Sequence, residues 1–174
     1  MPDLTAEEII ERLGLEPLEQ EGGYFRSTWR SPPRIPSENR ESVGSTNDHA
    51  AGTAIYFLIT RDQFSAMHRL KADEIWLHHL GDPLEMLMLH PDGGGELACI
   101  GPDLSKDQYP QHPCPANSWQ GTHIAPGQDR FGYALCSCIV VPGFEWSEFE
   151  LGDRDTLVRQ FPKYAHSIRA LTRP

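Results

Sequence analysis

From Ser65 to Leu84 the sequence reads SAMHRLKADEIWLHHLGDPL, a stretch in which His68, His78 and His79 stand among Asp73, Glu74 and Asp82. Imidazoles and carboxylates this close together do chemistry in two ways. They converge on a metal ion, which needs several donors at about 2.0–2.3 Å, or they pass protons, with a histidine titrating near neutral pH and a glutamate to orient it or raise its basicity. The surrounding residues are those of strand and turn, so side chains alternate between two faces. Glu74, Trp76 and His78 then share one face, and His79 takes the other.

The elements that must position these groups follow from periodicity. TAEEIIERLGL predicts a short N-terminal helix: Thr5 caps it, Glu8 closes a capping box, Ile9, Ile10 and Leu13 share a face, and Gly14 stops it. GGYFRSTWR predicts a strand over Tyr24–Arg30, with Arg26 and Arg30 on the face of Tyr24 by parity. Residues 31–52 are polar and rich in Pro, Ser and Asn, which predicts an exposed loop with His49 at the surface. From Thr53 onward, short apolar runs are separated by turn residues: TAIYFLI, FSAMHRL, DEIWLHHL, LEMLMLH, ELACI, RFGYALCSCIVV and EWSEFEL. This spacing predicts an all-β antiparallel sandwich or barrel without crossover helices. Gly81-Asp82-Pro83 and residues 91–95 mark the clearest turns, and Glu145, Glu148 and Glu150 are expected to face solvent. RDTLVRQFPKYAHSIRALTR returns to helical spacing, interrupted at Pro162, and predicts a helical cap over about 153–174.

Composition sets limits on function. The chain of 174 residues is expected to be one domain, 1–174, long enough to bury its own core. Acidic residues outnumber basic ones, 25 against 15, with no dense basic run, so nucleic acid is not an expected partner. MPDLTAEEII has neither the basic nor the apolar region of a leader, and no run is long enough to cross a bilayer. No membrane partner and a cytoplasmic location are therefore expected. Cys99, Cys114, Cys136 and Cys138 are too few and too irregular for a disulfide framework and are expected to be reduced.

His68, Leu70, Glu74 and Gly81 reproduce the spacing of the first motif of the cupin superfamily, with Leu70 where that motif has its second histidine. Pro115, Asn117 and Gln120 resemble the companion motif, Asn117 standing for a glycine and Gln120 for a histidine, while Asp62 and Tyr109 occupy the places of the leading glycines. EGGYFRSTWRS, TAIYFLIT, FSAMHRLKADEIW, GDPLEMLML, WQG, VVPGFEWSEFEL and IRALTR occur in the order of a family of single-domain cupins, the domain of unknown function 985. The resemblance runs from about Leu13 to Arg173. It implies a cupin-type antiparallel jelly-roll barrel, a homodimer, and a pocket in the barrel mouth similar to those of nucleotide-sugar epimerases.

The motif positions supply His68, Glu74 and Gln120, a weak transition-metal set that His78 would strengthen if it faced His68. The candidate metal ligands are therefore His68, Glu74, His78 and Gln120, for a single iron, manganese, nickel or zinc ion. Without a metal, His68, Glu74 and Tyr24 are the candidate catalytic groups, with Tyr133 as the other possible hydroxyl donor. Gln120, Arg26, Tyr133, Trp76 and Trp119 would then bind an oxygen-rich metabolite, sugar-like or carboxylate-bearing. The expected function is a metal-independent isomerase, epimerase or lyase. Its rivals are a metal-dependent oxygenase and a binding barrel without turnover.

Overall fold

A computed structural model of the chain describes residues 4–32 and 49–173. Most of the expected polar loop, 33–48, thus lies outside the described residues. Helix α1 (Ala6–Leu13) forms as its sequence signals demand. The Thr5 hydroxyl accepts from the Glu8 amide at 3.2 Å, the Glu8 carboxylate accepts from the Thr5 amide at 2.9 Å, and Gly14 ends the helix in the left-handed region. Its apolar face packs with Leu15, Leu58, Tyr133 and Leu135.

Among the described residues, strands build two antiparallel sheets. The first has the order β1 (Glu16–Pro17), β2 (Tyr24–Arg30), β3 (Thr53–Thr60), β10 (Tyr133–Val141), β5 (Asp73–Gly81), β8 (Gln111–Cys114). The second is β11 (Glu150–Leu151), β4 (Ser65–Arg69), β9 (Trp119–Ile124), β6 (Leu84–Leu89), β7 (Gly95–Ile100). Strands β3 to β6 alternate between the sheets, the jelly-roll arrangement. The period of two then decides which side chains meet: Phe57, Trp76, Met86, Met88, Cys136 and Cys138 point between the sheets and form the core. No described helix is long and apolar enough to cross a membrane.

Two expectations need correction. EWSEFEL is not a full strand: Trp146–Glu148 is a single 3-10 turn, and only Glu150–Leu151 pairs, opposite Arg69 and His68. In an extended chain Phe149 would point away from Phe144 and Trp146. The turn brings all three rings edge to face, with centroids 5.0 Å apart for Phe144 and Trp146 and 5.4 Å for Trp146 and Phe149. The same turn takes Glu148 out of solvent and sets it 3.5 Å from the equally buried His49, while Glu145 pairs with Arg30 and Glu150 with Arg69. Neither β8 nor β9 stood out in the apolar runs. Pro113 is accommodated because β8 is an edge strand, where a ladder donor can be spared.

Helices α2 (Arg154–Gln160) and α3 (Ala165–Ala170) are separated by a 3-10 turn that starts at Pro162. Leu157, Phe161, Ile168 and Leu171 pack on Met67, Leu87 and Leu89 of the second sheet. The Leu171 carbonyl accepts from the Met67 amide at 2.8 Å, and the Met67 carbonyl accepts from the Gly152 amide at 2.7 Å. The helical cap therefore holds β4, the strand that carries His68. Leu157→Ala is expected to lower stability by about 2–4 kcal/mol, read as a shift of the urea midpoint, because it opens a cavity under this cap.

Candidate active site

β4 brings His68 into the barrel from the second sheet and β5 brings Glu74 from the first; both are almost fully buried, at 2% and 6% exposure. The His68 Nδ1 bonds the Ala66 carbonyl at 2.8 Å, which turns Nε2 toward Glu74 Oε2 at 3.9 Å and the Gln120 amide nitrogen at 3.2 Å. β9 pairs Gln120 directly with His68. The sense of the amide is decided by Trp76, whose indole N–H donates to Gln120 Oε1 at 3.1 Å. An indole has no lone pair to offer, so the amide nitrogen must point the other way, and it donates to Glu74.

A third charged group, Glu21, escaped the sequence reading. It sits in the turn between β1 and β2, where the Gly22 amide donates to the Leu18 carbonyl at 2.7 Å and the Leu18 amide to the Gly23 carbonyl at 3.0 Å. The Glu21 carbonyl accepts from the Ala66 amide at 2.9 Å, and Arg173 Nη1 holds the carbonyls of Glu19 and Gln20 at 2.9 and 3.0 Å. Gly22 has φ of +111°, and a Cβ there would stand 2.2 Å from the Phe64 carbonyl oxygen, so no other residue fits. The turn presents the Glu21 carboxylate beside β4, where Ser65 Oγ donates to it. Two consecutive glycines ahead of a strand were the available signal for a tight turn.

Glu21, His68 and Glu74 line a cavity of about 150 Å³. Leu18, Phe25, Ile55, Leu70 and Val140 form its apolar wall, Leu70 standing where the motif resemblance has a histidine. Phe144, Trp146 and Phe149 complete it, and the Phe149 ring stacks on the His68 imidazole with centroids 5.2 Å apart. The exposed Trp146 and Arg30 mark the open end, the buried His68 and Glu74 the closed end.

Burial pulls the His68 pKa down, but the Glu21 charge, the hydrogen bond to Glu74 and the Glu74 charge pull harder, raising it to about 9. Burial likewise raises the Glu21 pKa, against the opposing charge of His68. The 3.2 Å approach of the Gln120 nitrogen suits a neutral imidazole with a lone pair on Nε2, whereas the two carboxylates favour the imidazolium. Two charges outweigh one neutral contact, so His68 carries its proton at neutral pH and directs Nε2–H to Glu74. Cys138, also on the wall, is held as a thiol well above its ordinary pKa by burial, then by the Glu74 charge, and is a poor nucleophile.

The expected metal set does not assemble. Among the described residues no three His, Cys, Asp or Glu side chains come together as ligands. His78 has the parity of Glu74 but lies four residues, about 13 Å, further along the strand, with the core indole of Trp76 between them. Its Nε2 bonds the Asp82 carbonyl at 3.0 Å. Gln120 commits its oxygen to Trp76 and offers the remaining groups only amide hydrogens, and Leu70 contributes no donor. The residues present do not fit a transition-metal ion.

Other expected residues lie elsewhere. Tyr24 and Tyr133 pack under α1, outside the cavity. Arg26 lies over the Tyr56 ring at 5.8 Å, and Trp119 lies under Arg69 at 4.6 Å. Arg30 does not share the face of Arg26, because a bulge between Ser27 and Trp29 shifts the register and turns Arg30 to the cavity side with Phe25 and Ser27. Trp76 and Gln120 stand behind His68 and Glu74 and position them.

Comparison with known proteins agrees with this architecture. A family model described as Cupin superfamily (DUF985) matches residues 7–152. A hypothetical protein from Leishmania major superposes with a TM-score of 0.86 at 31% identity, covering 98% of this chain and 100% of that one. A protein from Shewanella oneidensis gives 0.84 at 32% identity, with 99% of each chain covered. An uncharacterised protein of Saccharomyces cerevisiae is 28% identical over 134 residues, 74% of this chain, which spans 66% of the yeast protein's length. Oxalate decarboxylase from Bacillus subtilis shares the fold alone, with a TM-score of 0.51 at 10% identity over 87% of this chain and 36% of that one.

The charge arrangement makes a direct prediction. Imidazole NMR is expected to show His68 titrating near 9, and Glu21→Gln, by removing a negative neighbour, to move it down toward the ordinary value of about 6.5. Folding raises this pKa, so the proton on His68 stabilises the fold fully below pH about 6.5, and that contribution is lost as the pH rises through about 9.

Proposed function

The chain belongs to the cupin superfamily, in its DUF985 family, and from the chemistry of its cavity we propose that it binds a small metabolite in the barrel and moves a proton on it, as an isomerase or lyase. One observation carries the reading: His68 is a titratable group held between two carboxylates inside an otherwise apolar cavity. Such a group is worth burying where it meets a ligand, since in low dielectric its proton affinity responds strongly to a change of neighbour. As the imidazolium, Nε2 donates to a ligand atom that gains negative charge; once neutral, the same nitrogen takes a proton from carbon. Glu74 and Gln120 hold the ring for both steps, and Phe149 fixes its plane.

With Tyr24 and Tyr133 outside the cavity, the groups at hand favour a proton shift on one face of the ligand. Epimerisation asks for a donor on the opposite face. Arg26 and Trp119 are also outside, so the contacts expected for an oxygen-rich ligand shrink to Ser27, Thr53 and the charged trio. The donor set gives no support to a metal-dependent oxygenase.

Incubation of the protein with a pool of small metabolites in deuterated water tests the proposal, with carbon-bound deuterium in recovered ligand read by mass spectrometry. Exchange is expected with the native protein and is expected to fall about 10²–10⁴-fold in His68→Asn. Tyr24→Phe is expected to leave the exchange rate unchanged. Retention of a ligand with no exchange in the native protein would replace the catalytic reading by a binding barrel without turnover.

A further inference from the structure

The cavity's own chemistry narrows what it takes, given that it is the ligand site proposed above. Two carboxylates, Glu21 and Glu74, face one imidazole, His68. The other charged group on the wall, Arg30, is engaged by Glu145 and by the Phe144 carbonyl at 3.1 Å. Arg173, the remaining cation that acts on Glu21, spends its Nη1 hydrogens on the carbonyls of Glu19 and Gln20. Ser65 and Gln120 give the carboxylates neutral hydrogen bonds only. With all three ionised, the closed end carries one negative charge more than it has partners for, and an uncompensated charge in an apolar enclosure is costly. The sequence keeps that cost, since the Gly22 turn exists in a form that admits no side chain and presents Glu21 there.

The walls point the same way. Phe25, Phe144, Trp146 and Phe149 line the cavity, and the edge-to-face packing of the last three, at 86° and 70°, leaves ring faces turned in different directions. Aromatic faces carry the negative part of the ring quadrupole and attract a cation, tryptophan most strongly. An anionic ligand would meet two carboxylates and hydrocarbon, and a polyhydroxylated one would leave hydroxyls against Leu18, Ile55 and Val140. We infer that the natural ligand is a small organic cation, a protonated amine on an apolar body, whose ammonium group lies against Glu21 and Glu74 while its body packs on the aromatic wall.

Three probes that share one ring and differ in the head group test this: cyclohexylammonium, cyclohexanol and cyclohexanecarboxylate, titrated at pH 7 by calorimetry and ligand-observed NMR. The ammonium is expected to bind at least about tenfold more tightly than the alcohol, and the carboxylate weakest of the three. Glu21→Gln retains an acceptor for Ser65 and removes only charge; it is expected to bring ammonium and alcohol within about twofold of each other. Trp146→Ala, a change at an exposed position, is expected to weaken the ammonium about two- to fivefold with an unchanged melting temperature. Equal or tighter binding of alcohol or carboxylate, an ammonium preference that survives in folded Glu21→Gln, or no binding of any probe overturns the inference. Ammonium preference without deuterium exchange on any ligand would sink the proton-transfer reading alone, and exchange on a ligand without a cationic group would sink the amine reading alone.

Discussion

The indole of Trp76 can donate a hydrogen bond but not accept one, and the side chains behind the cavity are oriented by that asymmetry. Packed edge-on against Phe57, with centroids 5.4 Å apart, Trp76 has one direction for its N–H, and Gln120 Oε1 lies there at 3.1 Å. The Gln120 nitrogen is thereby committed to Glu74 and turned toward His68. Reversal of the amide would place two donors face to face in a dry interior and leave the Glu74 carboxylate without its donor, a penalty of about 1–3 kcal/mol or more for each group stranded. A network of this kind holds one arrangement because partial satisfaction is worse than none. It also explains why a glutamine in the companion-motif position does not stand in for a metal-binding histidine here. The oxygen is spent, and an amide nitrogen has no lone pair to give.

The charges in front of this network depend on parts of the chain that are far apart in sequence. Glu21 is placed by a turn that is pinned on one side by β4, through Ala66, and on the other by Arg173 near the C-terminus. β4 is itself held by main-chain bonds from Met67 to Gly152 and Leu171 at the two ends of the helical cap. The helices that cover the second sheet thus act on the same strand and the same turn that bring His68 and Glu21 together. A loss of packing at the cap would be felt at the cavity through geometry, with no side chain of α2 or α3 among those that line it.

Much of the architecture was legible because it is set by local rules. The capping box of Thr5 and Glu8, the break at Pro162 and the alternation in TAIYFLI and DEIWLHHL each need only a few neighbouring residues to take effect. The motif spacing from His68 to Glu74 and Gly81 was legible for the same reason, and the barrel does bring His68, Glu74 and Gln120 together. Parity was less secure than periodicity. It put His78 on the correct face but said nothing of distance along the strand, and it placed Arg30 with Arg26 because a bulge has no signature in the sequence YFRSTWR. The strand expected at EWSEFEL gave way to ring packing among Phe144, Trp146 and Phe149, a tertiary gain that outweighs the local pattern.

The sequence by itself determined the strand-rich class, the terminal helices, the family resemblance and the pairing of an imidazole with a carboxylate, because each depends on spacing within a segment. Only the tertiary structure decided what stands around that pair. It brought in Glu21 from a turn some fifty residues earlier, buried Tyr24 and Tyr133 under the N-terminal helix, and lined the cavity with rings from three separate segments. The physical reason is that charge and hydrogen-bond complementarity are properties of neighbours in space. Neighbours in a jelly-roll barrel come from strands distant in the chain, so a titratable side chain acquires its protonation state, and a cavity its preference for one ligand charge, only when the sheets close.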